Sequence, residues 1–147
     1  MEQSLGSILK DKPGELLAVG PNASVSEAAR TMSSHNKGCV LVMDEGGLRG
    51  LFTERDLMRR VVAEGLDPAR TPVNDVMTSE IVTVGPEVTI GEAMSLCTQR
   101  RLRHLPIYKD GELLGIVSAG DLTKALVNDK QHTIDDLIGY IYGTEPV

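Results

Sequence analysis

Two stretches of the chain, GLFTERDL from Gly50 to Leu57 and GIVSAGDL from Gly115 to Leu122, are versions of one pattern set 65 residues apart. In each, a glycine opens a short apolar run, a hydroxyl residue follows (Thr53, Ser118), and an aspartate stands three positions later (Asp56, Asp121). The match continues at the same offset well outside these strings. Val19-Gly20-Pro21 aligns with Val84-Gly85-Pro86, Glu27-Ala28 with Glu92-Ala93, Gly46 with Gly111, and Leu48 with Leu113. No gap is needed between Val19–Asp56 and Val84–Asp121, so the fold has to be assembled from two copies of one unit.

Each copy carries the same local signals in the same order. Ser24 with Glu27, and Thr89 with Glu92, have the spacing of a capping box and predict two helix starts. Val25, Ala28, Ala29 and Met32, like Ile90, Ala93, Met94 and Cys97, repeat as one buried helical face, which assigns these methionines and Cys97 to the core. The β-prone runs Cys39 to Met43 and His104 to Tyr108, each followed by a glycine-bearing polar turn and a second run, predict hairpins. Thr53 and Ser118 then cap a second helix, to about Val62 and about Val127.

The predicted fold class is therefore α+β (mixed α/β), two β-α-β-β-α units over 1–66 and 67–130 with a helix and tail over 131–147. One unit alone buries too little, so the copies are expected to pack against each other. Ala63 to Thr71 reads as a loop, and Val73 to Met77 echoes Leu5 to Leu9, with three extra residues in the first copy. The last helix, capped by Thr133 with Ile134, Leu137, Ile138 and Ile141 on one side, has no counterpart in the first half and predicts a homodimer that covers it.

Composition narrows the function. With 3% aromatic residues, no tryptophan and a net charge of -6, the chain lacks the stacking platforms and basic face of a nucleic-acid binder. No stretch approaches a membrane span, and the first residues carry no leader pattern. The two cysteines, Cys39 and Cys97, form no metal or redox motif, and the expected setting is reducing and cytoplasmic.

The strings VSEAARTMSSHNKGCVLVMDEGGLRGLFTERDL and VTIGEAMSLCTQRRLRHLPIYKDGELLGIVSAGDL, with DVMT at Asp75 to Thr78, resemble the cystathionine-β-synthase-type (CBS) domain family, arranged as a stand-alone tandem pair or Bateman module. The resemblance implies that the two copies pack with pseudo-two-fold symmetry, clefts between them that bind an adenosine nucleotide (AMP, ATP or NAD(H)), no obligatory cofactor, pairing of modules into a dimer, and a regulated protein partner not named by the sequence. Asp56 and Asp121 are the carboxylates expected to accept both hydroxyls of a ribose. Thr53 and Ser118 stand at helix starts, where backbone N–H groups favour acceptor atoms. Leu51 and Ile116 are expected to offer apolar surface to adenine, and Gly50 and Gly115 to let the strand backbone approach the ligand.

A phosphate near an aspartate needs cations. The run Arg100, Arg101, Arg103 and His104 is the densest basic stretch, and the resemblance singles out Arg103 and His104. The first copy has only His35, Lys37, Gly38 and Cys39 at the equivalent positions, which predicts unequal sites; Thr83, replaced by Ala18 in the first copy, is a further candidate. Taken singly, a hydroxyl with an acid three positions later is also an ordinary helix cap, and a constitutive dimerisation domain is the alternative reading. No base is set against a nucleophile and no histidine has metal-ligand spacing, so the chain does not read as an enzyme.

Overall fold

The structure, a computed structural model, describes residues 3–11 and 16–128. In chain order it runs helix α1 (Leu5–Asp11), strand β1 (Ala18–Val19), helix α2 (Val25–Ser34), strands β2 (Cys39–Asp44) and β3 (Gly47–Thr53), and helix α3 (Glu54–Asp56), which continues as a π-helix over Leu57–Val62. A 3-10 turn (Val73–Asp75) follows, then helix α4 (Ile90–Arg100), strands β4 (His104–Lys109) and β5 (Glu112–Ser118), and helix α5 (Ala119–Asn128). The fold is α+β, as expected. The expected helix from Ile134 lies outside the described residues.

Local chemistry accounts for most element starts. Thr89 accepts from the Glu92 N–H while the Glu92 carboxylate takes the Thr89 N–H, a complete capping box. At Ser24 the forward bond from Glu27 N–H forms, and the next two amides, Val25 and Ser26, donate to the carbonyls of Thr71 and Pro68. Both first helices end on a left-handed residue, Asn36 at φ 54° and Arg101 at φ 55°. There the following amides, Lys37 and Leu102, reach back to the carbonyls of Met32 and Cys97.

The hairpins carry a bulge at the same step. Val42 pairs with Gly50 and Met43 with Leu48, leaving Arg49 extra; Ile107 pairs with Gly115 and Tyr108 with Leu113, leaving Leu114 extra. In the second hairpin Asp110 and Gly111 both have positive φ, the conformation a tight two-residue turn demands.

The lead-in strands differ. β1 pairs parallel with β2 through Ala18–Leu41 and Val19–Val42, whereas in the second copy a single bridge joins Val84 to Ile107. The first copy extends its ladder by a bond from Leu41 N–H to the Leu17 carbonyl. The residue equivalent to Leu41 is Pro106, which has no N–H to donate, so the second ladder stops.

Packing divides the described chain into two units, residues 16–81 and residues 3–11 together with 82–128. These cut across the sequence repeats by exchanging their leading segments. Leu5 and Gly6 donate to the carbonyls of Val88 and Pro86 in the second unit, while Val73 and Asn74 donate to those of Ala23 and Pro21 in the first. The echo between Leu5–Leu9 and Val73–Met77 is thus an equivalence of docking positions. The first core gathers Val25, Ala28, Met32, Val42, Phe52 and Val73, and the second Leu5, Ile90, Ala93, Leu105, Ile107 and Leu122.

Candidate functional site

In the first unit, β3 ends at Thr53, whose hydroxyl accepts the Asp56 N–H at 3.1 Å while Asp56 Oδ2 accepts the Thr53 N–H at 3.1 Å. This fixes the carboxylate at the start of the helix. A residue from beyond the loop completes its shell: the Thr78 hydroxyl is shared between Asp56 Oδ1 and Oδ2, at 3.0 and 3.1 Å. Arg60 Nε stands 3.7 Å from Oδ1, and its guanidinium also donates to the Met77 carbonyl. Asp56 is 6% exposed, the one charged residue in the described core. The nearby Cys39 thiol is pushed up to about 12, first by its own burial and then by the Asp56 charge.

Thr78 is held by a two-way backbone bridge to Leu51, with N–H to carbonyl distances of 2.9 and 2.8 Å. The bridge surrounds two of the residues expected at a ligand. Leu51 is 6% exposed. Gly50 makes room for the chain itself, since a Cβ there would stand 2.6 Å from the Thr78 carbonyl oxygen. Gly115 does the same for Leu9, whose Cδ2 lies 2.8 Å from the Cβ position. Lys37 is exposed and borders a surface hollow of about 310 Å³ with Met32, Gly38, Glu54 and Leu57.

In the second unit, Ser118 and Asp121 form the same reciprocal pair. Asp121 N–H donates to Ser118 Oγ at 3.0 Å and Ser118 N–H to Asp121 Oδ2 at 2.8 Å. His104 lies across the ladder from Ser118, and the Arg103 carbonyl accepts the Ala119 N–H at 2.8 Å. Ile116 pairs with Pro106 and is half-buried, and Arg103 is exposed. Thr83 is exposed beside Val84, whose backbone is bonded to Pro106 and Tyr108 of the same sheet. The structure therefore brings Arg103, His104, Ile116, Ser118 and Asp121 to one end of one hairpin with Thr83 on its neighbouring segment, and collects Leu51, Thr53 and Asp56 in the other unit. Sequence reasoning did not single out Thr78, Arg60 or Glu54. Thr78 had one signal, its place in the DVMT string, and Glu54 had its place beside Thr53.

The described residues contain no helix long and apolar enough to cross a membrane. Residues 9–63 and 73–128 each match the model of the CBS domain. The chain is 36% identical over 139 residues to the CBS domain-containing protein CBSX3, mitochondrial, of Arabidopsis thaliana, covering 91% of this chain and 68% of that one. It is 37% identical over 118 residues to the CBS domain-containing protein YhcV of Bacillus subtilis (strain 168), covering 80% and 84%. Among solved structures, a putative signal-transduction protein with CBS domains from Burkholderia ambifaria MC40-6 superposes with a TM-score of 0.84 at 36% identity, covering 90% and 99%.

Proposed function

The chain belongs to the CBS-domain family, and from that premise we propose that it is a regulatory module that binds an adenosine nucleotide (AMP, ATP or NAD(H)) and passes its occupancy to a protein partner. The observation that carries the reading is the second unit's hairpin end, where a reciprocally held hydroxyl and carboxylate, Ser118 and Asp121, share a ladder end with His104 and adjoin Arg103. A carboxylate suits a ribose diol, and a neighbouring guanidinium suits the phosphate that the carboxylate would repel. Calorimetric titration with AMP, ATP and NADH tests it. Binding that Asp121→Ala weakens for adenosine and AMP alike is the expected result, and no heat from any of the three overturns it.

A constitutive dimerisation domain is the second reading, and the first unit favours it. Its aspartate is already satisfied by Thr53, Thr78 and Arg60. Self-association belongs to both readings, supported by Met58, Val62 and Val127, which are 56%, 66% and 58% exposed on the second helices. Both readings are non-enzymatic, and a reducing compartment such as the cytoplasm suits the two unpaired thiols.

A further inference from the structure

Helix α1 supplies the second unit with part of its core from the far end of the chain. The Leu5 and Gly6 N–H groups donate to the Val88 and Pro86 carbonyls at 2.8 and 2.9 Å, and the Gln3 carbonyl accepts the Ile90 N–H at the start of α4 at 3.1 Å. Leu9 packs on β5, with its Cδ2 2.8 Å from the Cβ position of Gly115. Leu5 and Ile8, 0% and 7% exposed, join Leu105, Ile107, Val117 and Leu122 in one apolar cluster.

That cluster underlies the hairpin end. Leu105 follows His104, Val117 precedes Ser118, and Leu122 follows Asp121, so each of these three polar residues has an immediate neighbour in the core that α1 closes. Neighbours in a strand point to opposite faces, so His104 and Ser118 are positioned by how Leu105 and Val117 are packed. In the first unit the equivalent support, Val73 and Val76 against Val40 and Phe52, comes from the segment that follows the second helix. A seven-residue helix is marginal by itself, so α1 forms and docks as one step, and its loss falls on the second unit.

We infer that α1 is a strap that leaves and returns as a step of its own, and that only its docked state holds the hairpin end in the form that takes a nucleotide. The inference rests on the nucleotide reading and names the element that regulates the site. Docking and binding are then linked. A ligand that needs the docked state stabilises it by the factor 1 + [L]/Kd, and anything that draws α1 away weakens nucleotide binding. Nucleotide occupancy thereby sets how often the apolar face of α1, formed by Leu5, Ile8 and Leu9, is uncovered.

Amide hydrogen exchange on the full chain supplies the test, without nucleotide and with AMP, ATP or NADH at about ten times its dissociation constant. The Leu5 and Gly6 amides report α1, the Tyr108 N–H, bonded to the Val84 carbonyl at 2.9 Å, reports the hairpin, and the Val73 N–H reports the equivalent docking in the first unit. Without nucleotide, Leu5 and Gly6 are expected to exchange faster than Tyr108. Nucleotide should slow them about tenfold, and at the same concentration Asp121→Ala should cut the slowing to about twofold or less. The unliganded Val73 rate should be the same in that variant as in the parent chain. A nucleotide that binds yet leaves Leu5 and Gly6 unchanged, slowing that survives Asp121→Ala in full, or α1 amides that exchange only together with Tyr108 overturns the inference while the nucleotide reading stands. Absence of calorimetric heat from all three nucleotides overturns both.

Discussion

The Thr78 hydroxyl donates to both carboxylate oxygens of Asp56 from 22 residues further along the chain, at 3.0 and 3.1 Å. It does so from a backbone clamped to Leu51, so the bond ties the segment after the loop to the start of the second helix. Removing the hydroxyl without changing the shape leaves a buried carboxylate one donor short. Thr78→Val should lower unfolding free energy by about 1.5 to 3 kcal/mol, the range for hydrogen bonds to charged groups, as read from denaturant midpoints at constant slope.

In the second unit, Asp121→Ala should weaken adenosine and AMP binding by a similar amount, about 1.5 to 3 kcal/mol, because the ribose is common to both ligands. Arg103→Ala should weaken AMP more than adenosine. Thermal unfolding of the unliganded variants separates this from the capping bond between Asp121 and the Ser118 N–H.

The thiols give a pH prediction. The folded Cys39 thiol is raised from 9.0 to about 12, first by burial and then by the Asp56 charge, and burial also raises Cys97. Below pH 9 the thiol is neutral in both states and its contribution to stability is fully present; as pH climbs from there through about 12, the unfolded chain ionises first and that contribution is lost. At neutral pH both cysteines should react with a thiol reagent far more slowly in the native than in the unfolded chain. Asp56→Asn should bring the Cys39 titration down.

Arg101 sits at φ 55° and ψ 43°, a left-handed conformation that side chains resist. Arg101→Gly should stabilise the chain by about 0.5 kcal/mol, the relief of strain exceeding the added freedom of the unfolded glycine. Arg100→Gly, one residue earlier at the last position of α4, should instead destabilise the chain, by less than the roughly 1 kcal/mol of a helix-interior glycine. Paired melting curves of the two variants make the comparison.

Sedimentation should give twice the mass of one chain. Val62→Asp combined with Val127→Asp places charge on two residues that are 66% and 58% exposed, and should return the mass to that of one chain with the fold intact.

What could be read from the sequence was local. Thr89 with Glu92, Thr53 with Asp56 and Asp110 with Gly111 act within four residues, and each formed the cap or turn its chemistry implies. The single bridge at Val84 also has a local cause, the missing N–H of Pro106, which is visible only once the strand partner is known. Thr78 and Gly50 escaped because their partners lie far along the chain. The glycine's purpose is the approach of Thr78, and the repeat pattern suggested a ligand in that place instead. Glu54 escaped for the same reason, since its approach to the space above Gly38 exists only in the fold.

The docking of α1 against the hairpin after α4 has a consequence for the chain as it is made. Residues 3–11 leave the ribosome well before residues 82–128, yet the carbonyls that receive Leu5 and Gly6 belong to Val88 and Pro86. For the time taken to synthesise everything between, the opening segment has no native surface to settle on, and its exposed apolar side chains must be tolerated or chaperoned. Residues 73–76, by contrast, find Ala23 and Pro21 already waiting. Closing the long loop to α1 adds only a slowly growing entropic cost but delays its burial, so the unit that holds α1 is completed after the unit that lies between its two parts.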